Sequence, residues 1–141
     1  MTNFLLKTEP SDFSFADLVR EGSCIWTGVS NPAARIVLRT IRRGDQALIY
    51  HTGDERAVVG LARVTRGAYP DPTRPGLNDR GEPNYPVIDL APVRSANPSL
   101  SLAAIKSDPR FEGFTLITHG RLSVHVVPEA TAGPIARLCG W

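Results

Sequence analysis

The stretch QALIYHTGDERAVVGLARVTRGAY, residues 46–69, is the strongest fold signal in the chain. Two runs of mainly apolar residues are separated by the turn-forming residues Gly53, Asp54 and Glu55. This pattern predicts a β-hairpin. Gly60 interrupts the second run, which indicates a bend or a close backbone approach, as in a small barrel.

The composition bounds the class of protein. The chain has 141 residues, which suits one domain, and 42% of them are hydrophobic, which is enough for a core. Twelve glycines and twelve prolines favour many short elements over a long-helix bundle. The net charge of +2 permits a polyanionic partner without requiring one. We therefore expect a single domain over residues 1–141 and a monomer.

The cysteines and the apolar runs bear on the compartment. Cys24 and Cys139 lie far apart and form no CxxC pair, which argues against a disulfide framework and a zinc motif. No run approaches the ~20 apolar residues of a membrane helix, and the first ten residues do not resemble a signal peptide. We expect a reducing, cytoplasmic location and no membrane association.

Two helices are predicted before the hairpin. Ser14, with Asp17 three residues later, resembles a capping box, and Gly22 marks the end of that helix. Asn31 can cap a second helix, which is predicted to end before Gly44. We expect backbone N–H groups near Asn31 to be free to bind an electronegative atom.

The second predicted helix has two contrasting faces. One face is apolar and the other is basic, a pattern typical of a surface helix. The apolar face consists of Ala33, Ile36, Val37 and Ile41, and the basic face consists of Arg35, Arg39, Arg42 and Arg43. The basic face is either simply solvated or a phosphate-contacting surface.

The remaining segments complete an α/β (α+β) pattern. Residues 70–84 are an irregular segment of a length typical of functional or mobile loops. Proline positions favour an edge location for the strand at 85–93. The other predicted elements are strands at 3–8 and 121–127 and helices at 101–108 and 128–140, the last interrupted near Pro134. Strands that are apolar throughout fit a closed or nearly closed sheet with helices outside.

Motifs for metal and cofactor chemistry are missing from the sequence. His51, His119 and His125 show no metal-ligand spacing, and no Walker loop, GxGxxG or GxSxG occurs. We therefore expect neither a metal nor a cofactor. An enzyme would need a general base, for which Glu9 and His51 are the candidates.

Polar and aromatic residues concentrate at KTEP, WTGVSN and YHTGD, where predicted strands end or a helix begins. Such positions are typical of ligand sites. Trp26 and Tyr50 have flat faces on which a base can stack, an interaction worth about 1–3 kcal/mol. Each has a structural alternative: Trp26 can fill the core while Gly28 turns the chain, and Tyr50 can fill the barrel.

Five segments together resemble the EVE domain. They are FLLKTEPSDFSFADL, WTGVSNPAAR, RRGDQALIYHT, VVGLARVTRGAYPDPT and RLSVHVV, in that order along nearly the whole chain. The resemblance implies a PUA-like mixed β-barrel of about five to six strands flanked by helices. It also implies a non-catalytic module that binds a modified nucleobase in DNA or RNA.

The resemblance implies a base pocket with Trp26 as one wall and Tyr85 as a second, and hydrogen bonds from Thr8, Asn31 and Thr52. The residues carried over to the pocket are Lys7, Thr8, Glu9, Trp26, Gly28, Val29, Ser30, Asn31, Tyr50, His51, Thr52, Tyr85, Arg121, Leu122 and Ser123. Phosphate contacts are expected from Arg35, Arg39, Arg42 and Arg43.

Several of these residues also have plain structural interpretations. Lys7, Thr8 and Glu9 can tie the first strand to its neighbours, and Arg121 can form an ion pair. Two other functions stay open: a small hydrolase or transferase acting on a nucleoside-like substrate, and an interaction module with a vestigial pocket. The latter is suggested because Ser30 and Pro32 replace the Arg and Tyr that are usual in the family.

Overall fold

The predicted hairpin lies at the centre of a six-stranded mixed sheet, and the computed structural model describes residues 1–141. The strands are β1 (Asn3–Thr8), β2 (Cys24–Trp26), β3 (Gln46–His51), β4 (Ala57–Pro70), β5 (Pro86–Ser101) and β6 (Val124–Val127). The sheet order is β2-β5-β4-β3-β1-β6, and β1 and β3 are the parallel pair. The predicted fold class and strand number are confirmed.

The helices cover both faces of the sheet. They are α1 (Phe15–Glu21), α2 (Pro32–Leu38), α3 (Leu102–Ser107), α4 (Thr115–Thr118) and α5 (Glu129–Leu138), with a 3₁₀ helix at Pro109–Phe111. In β1, Phe4 and Leu6 pack with residues of α1 and α2, whereas Leu5 packs with residues of α3, α4 and α5. Burial on both faces explains why the middle of β1, from Phe4 to Leu6, is continuously apolar.

The interpretation of Gly60 as a close-approach residue is confirmed. A Cβ atom at this position would lie 2.4 Å from the Phe15 ring. The pairing of β4 with β5 also changes register between Val58 and Gly60. The glycine therefore lets α1 sit directly on the sheet.

Strand β5 is an inner strand, so its predicted edge position is wrong. It pairs with β4 on one side, and with β2 on the other over only three residues, centred on Asp89. Pro92 lies beyond the part that β2 covers and beside a register shift, so no ladder hydrogen bond is required there. The three-residue β2 was not predicted, because a run this short has no detectable period.

Helix α2 is shorter than predicted, and its buried face differs. It ends at Leu38, and the buried residues are Ala34 and Leu38, whereas Ile36 is 62% exposed. Beyond the helix, the Ile41 carbonyl accepts from the Ala68 N–H, and the Arg42 N–H donates to the Asp45 carboxylate. One of these hydrogen bonds is long-range and the other closes a local turn. Together they replace the helical ones, so the four arginines do not share one helical face.

Three other features differ from the sequence predictions. Helix α5 is continuous through Pro134, β6 begins at Val124 rather than residue 121, and α4 was not predicted. The irregular segment at 70–84 is confirmed apart from one bridge between Leu77 and Pro83. None of the helices has the length and apolar content needed to span a bilayer.

Candidate functional site

A cavity of about 580 Å³ opens between the two edges of the sheet. Its walls come from the end of β1, from β2 and the loop after it, and from the residue before β6. The lining residues are Lys7, Thr8, Phe13, Glu21, Cys24, Ile25, Trp26, Thr27, Gly28, Val29 and Ser123. The volume is that of a small-molecule or cofactor pocket, and six of the lining residues were predicted from the sequence.

The core interpretation of Trp26 is confirmed, and its role as a face for a stacked base stays a prediction. Its side chain is buried and belongs to the core, but it also lines the cavity. The Phe13 ring meets it edge-on, with ring centres 6.2 Å apart and planes at 80°. The indole N–H of Trp26 donates to no protein atom, although it is not sealed from solvent. Phe13 was missed in the sequence, although it directly follows the KTEPSD segment.

The loop from Thr27 to Ser30 leaves its backbone hydrogen-bonding groups unpaired. No N–H or C=O of these four residues bonds to another backbone group or side chain. Gly28 has φ +80°, a conformation that costs other residues free energy, and this turns the chain beside the cavity. Free donors and acceptors therefore lie next to an aromatic wall, as the recognition of a polar, flat ligand requires.

Lys7 places a positive charge at the cavity. Its Nζ donates to the Gly120 carbonyl at 2.8 Å and lies 5.7 Å from the centre of the Tyr50 ring. Partial burial lowers the pKa of Lys7 below its ordinary value. An ammonium group has three donors, so others remain for a ligand. The Ser123 hydroxyl, which also lines the cavity, has no protein partner.

The three side chains that were predicted to bond the base are used within the protein. Thr8 Oγ1 donates to the Phe13 carbonyl at 2.6 Å, and Thr52 Oγ1 donates to Glu9 Oε2 at 3.2 Å. Asn31 Oδ1 accepts from the N–H groups at the start of α2. Thr8 retains only acceptor capacity toward the cavity, and Thr52 and Asn31 do not line it.

The prediction of free N–H groups near Asn31 holds for Ser30 and Asn31, whose N–H groups have no acceptor, but not for the residues that follow Asn31. Pro32 has no N–H, and Ala33 and Ala34 donate to Asn31 Oδ1 at 2.9 and 3.2 Å. The Arg35 N–H donates to the Asn31 carbonyl at 3.0 Å. Asn31 therefore accepts from the N–H groups in the first turn of α2, and the free amides lie in the preceding loop.

Glu9 and His51 lie outside the cavity, where each supports local structure. His51 Nε2 accepts from the Phe15 N–H at 3.0 Å, and Nδ1 lies 2.7 Å from the Glu55 carboxylate. The Glu9 carboxylate accepts from the Ser11 and Thr52 hydroxyls. With both ring nitrogens engaged, His51 orients the start of α1.

Tyr50 and Tyr85 are also outside the cavity. Tyr50 is buried in the core beneath α3–α5, and burial raises the pKa of its hydroxyl. Tyr85 was expected to be a second wall, but its ring lies between two guanidinium groups, with Arg35 Cζ 4.8 Å and Arg74 Cζ 4.1 Å from its centre. Phe13 is the second aromatic residue of the cavity.

The arginines predicted to contact phosphate divide into two groups. Arg35 and Arg39 donate to the carbonyls of Pro83 and Asn84 and so anchor the 70–84 loop. Arg42 and Arg43 precede β3, at the end of the sheet where Gln46 pairs with Asn3. Lys7 and the cavity are toward the other end of those strands, since Lys7 pairs with Tyr50, four residues or about 13 Å along β3 from Gln46. Phosphate contact by these arginines stays a prediction.

Three predicted residues line a second cavity beside the first. This cavity, of about 360 Å³, includes Asn31, Arg121 and Leu122, together with the turn at Gly120. The Lys7–Gly120 hydrogen bond joins the walls of the two cavities, because Lys7 lines the first and Gly120 lines the second. Ser30 is exposed on the loop between β2 and α2.

The site has no arrangement typical of metal or thiol chemistry. No group of three or more His, Cys, Asp or Glu side chains is placed to hold a metal ion. Cys24 and Cys139 are free thiols, and burial raises the pKa of Cys24 to about 11. A thiol with that pKa stays protonated near neutral pH and is a weak nucleophile.

Together, these features define an α+β domain with an aromatic-walled ligand cavity between the edges of its sheet. The EVE domain profile matches residues 2–138, so the chain belongs to the EVE domain family. Thymocyte nuclear protein 1 of Gallus gallus is 28% identical over 96% of this chain and 58% of its own length. The chain thus spans about three fifths of that relative.

Solved structures agree with this family membership. Rpa0253 from Rhodopseudomonas palustris is 32% identical, with a TM-score of 0.88 over 99% of this chain and 94% of that chain. The human THYN1 protein, solved in complex with 5-methylcytosine-containing DNA, is 26% identical, with a TM-score of 0.87 over 98% of this chain and 97% of that chain.

Proposed function

We propose that this protein is a non-catalytic reader that binds a modified nucleobase of DNA in the cavity between β2 and β6. The observation that carries the proposal is the combination of two aromatic walls with hydrogen-bonding groups that have no partner within the protein. A structural neighbour bound to 5-methylcytosine-containing DNA supports the choice of ligand class.

The cavity fits a flat base that has left the helical stack. Trp26 and Phe13 offer apolar contact to the base faces, and stacking is worth about 1–3 kcal/mol per base. The unpaired amides of Thr27–Ser30, the Ser123 hydroxyl and the Lys7 ammonium offer donors to the oxygen and nitrogen acceptors on a base edge. Because the cavity encloses the base on several sides, its shape can select for or against an added group such as a methyl.

The same geometry argues for binding without chemistry. The two candidate general bases, Glu9 and His51, lie outside the cavity and are hydrogen-bonded to other residues. Glu21 is the one carboxylate that lines the cavity, and it makes no hydrogen bond to a nucleophile there. A nucleophile–base pair, which covalent catalysis requires, is missing from the lining.

The Ser123→Ala variant tests whether the cavity holds the base. We expect the affinity for a duplex with one 5-methylcytosine to fall about 2- to 10-fold, the worth of one neutral hydrogen bond. The thermal stability should stay at the wild-type value, because the Ser123 hydroxyl bonds to no protein group. Fluorescence anisotropy and a thermal unfolding scan measure the two quantities.

Ser99→Ala is the matched control, since Ser99 is exposed on β5 and outside the cavity. It removes the same hydroxyl and should leave the affinity unchanged. Equal affinities of wild type and Ser123→Ala would exclude Ser123 from the contact. A wild-type protein that prefers no modified base over the unmodified duplex, or that prefers modified RNA, would contradict the DNA reader proposal.

Incubation with substrate separates a reader from an enzyme. We expect oligonucleotides and nucleosides with modified bases to keep their mass after prolonged incubation, because the cavity has no positioned base and nucleophile. Mass spectrometry of the recovered ligand provides the measurement. A product formed by the wild type but not by Glu21→Gln would identify Glu21 as a base and refute the non-catalytic assignment.

A further inference from the structure

We infer that the second cavity, at the turn before β6, binds a phosphodiester group next to the recognised base, with Arg121 as its main cation. This inference rests on the proposed function, because it concerns the strand that delivers the base. The cavity of about 360 Å³ is lined by Asn31, Ala33, Thr118, His119, Gly120, Arg121 and Leu122, none of which is acidic.

Arg121 is a cation without a partner in the protein. Its side chain is exposed and forms no ion pair and no hydrogen bond. Of the other arginines, Arg20 and Arg110 pair with aspartates, and Arg35 and Arg39 hold the 70–84 loop. What distinguishes Arg121 from the remaining unpaired arginines is its place in a cavity beside the base cavity. A free guanidinium in a cavity without carboxylates favours an anion, and its planar donor set matches phosphate oxygens.

Neutral donors surround this guanidinium. The backbone N–H groups of Gly120 and Arg121 donate to no protein acceptor. Asn31 uses its side-chain oxygen to cap α2, so its amide NH₂ remains unpaired. His119 Nδ1 bonds to the Thr118 hydroxyl, which leaves Nε2 unpaired. Phosphate oxygens accept such bonds, and backbone and side-chain donors of this kind hold nucleic-acid backbones without reading sequence.

The position of the cavity matches the path of a strand. Only Leu122 separates Arg121 from Ser123, which lines the base cavity, so their Cα atoms lie at most about 7.6 Å apart. Successive nucleotides of one strand rise by about 3.4 Å. A base seated beside Ser123 therefore brings a neighbouring phosphate within reach of Arg121. Lys7, bonded to Gly120, lies between the two cavities.

The Arg121→Ala variant tests this assignment. We expect the affinity for methylated and unmethylated duplexes to fall by the same factor, about 5- to 10-fold at roughly 0.1 M salt, since one phosphate contact is lost. The slope of log affinity against log salt should become shallower by about 0.9. The ratio of the two affinities should not change, because phosphate contacts do not report base identity.

Arg94→Ala is the matched control. Arg94 is exposed and lines a cavity with Asn3 and Gln46, at the other end of β1 and β3, so its loss removes the same charge away from the site. Its salt slope should equal the wild-type slope. An unchanged slope for Arg121→Ala, or an altered ratio of methylated to unmethylated affinity, would overturn the assignment.

A neutral methylphosphonate linkage, placed in turn on each side of the 5-methylcytosine, locates the contact. One placement should weaken binding by the wild type and leave binding by Arg121→Ala unchanged, because that variant has already lost the contact. The assignment is wrong if no placement shows this pattern. The salt slope on unmethylated DNA tests the phosphate contact even if the wild type shows no base preference, so the two proposals fail separately.

Discussion

The Trp26→Ala variant is expected to lose about 3–5 kcal/mol of its free energy of unfolding, the range for removing a large buried aromatic side chain. Trp26 is 7% exposed and packs in the core cluster that α1 and α2 cover, with the Phe13 ring against its own. Such a loss is a large part of the 5–15 kcal/mol that typically stabilises a domain, so unfolding should begin at a much lower urea concentration. Urea unfolding followed by circular dichroism measures the change.

Trp141→Ala is the control for this measurement. Trp141 lies at the end of the chain, partly exposed, with its indole N–H on the Ser95 carbonyl. Its truncation should lower the free energy of unfolding by less than half as much, because a partly exposed side chain buries less apolar surface. If Trp26→Ala proves as stable as the wild type, the Trp26 ring is not part of the core.

Loss of DNA binding by Trp26→Ala would not by itself identify a cavity wall, because an unfolded protein also fails to bind. Trp26→Phe separates the two effects. It retains an aromatic ring in the core while it reduces the stacking face and removes the indole N–H, which no protein atom accepts. We expect a folded protein with weaker binding of the methylated duplex. Full affinity would place the base away from Trp26.

The local elements of the fold were predictable where one segment contains the whole signal. The capping box of Ser14 and Asp17 and the Asn31 cap are satisfied by neighbours in sequence, and both helix starts are confirmed. The end of α2 was not predictable, because the backbone after it bonds to Ala68, which is distant along the chain, and to the Asp45 carboxylate in a local turn, instead of continuing the helix. Strand β2 exists only through its pairing with β5.

The site was predictable as a region but not as a set of donors. The WTGV segment was identified as pocket-forming, and Trp26, Gly28 and Val29 do line the cavity. Which hydroxyls remain free depends on tertiary partners: Thr8 and Thr52 bond within the protein, whereas Ser123 does not. No sequence pattern states whether a hydroxyl has found an internal acceptor, so only the folded structure separates these cases.

Acidification is expected to destabilise the protein through His125. This side chain is fully buried, with Nε2 2.8 Å from the Leu122 carbonyl and Nδ1 2.7 Å from the Thr115 hydroxyl. Burial, reinforced by the positive charge of Lys7 and more weakly by His119, lowers the pKa of His125 to about 4. The Leu122 carbonyl favours the charged form and offsets only part of this.

The direction of the pH effect follows from the two states. The unfolded chain protonates His125 near pH 6.5, whereas the folded protein does so near pH 4. The stability conferred by the neutral imidazole is therefore present above about pH 6.5 and is lost as the pH falls toward 4. At 1.36 kcal/mol per pKa unit, the full loss is about 3 kcal/mol.

Urea unfolding between pH 7.5 and pH 4.5 tests this expectation, with His125→Gln as the variant that removes the titrating group. The variant should be less stable than the wild type at pH 7.5, but its stability should change less with pH. His119→Gln, which replaces an exposed histidine that lines the second cavity, should keep the wild-type pH dependence. Equal pH dependence in His125→Gln and wild type would contradict the assignment. Because His125 bonds to Thr115 and Leu122, at the two ends of the segment that lines the second cavity, the same acid titration should weaken DNA binding along with the fold.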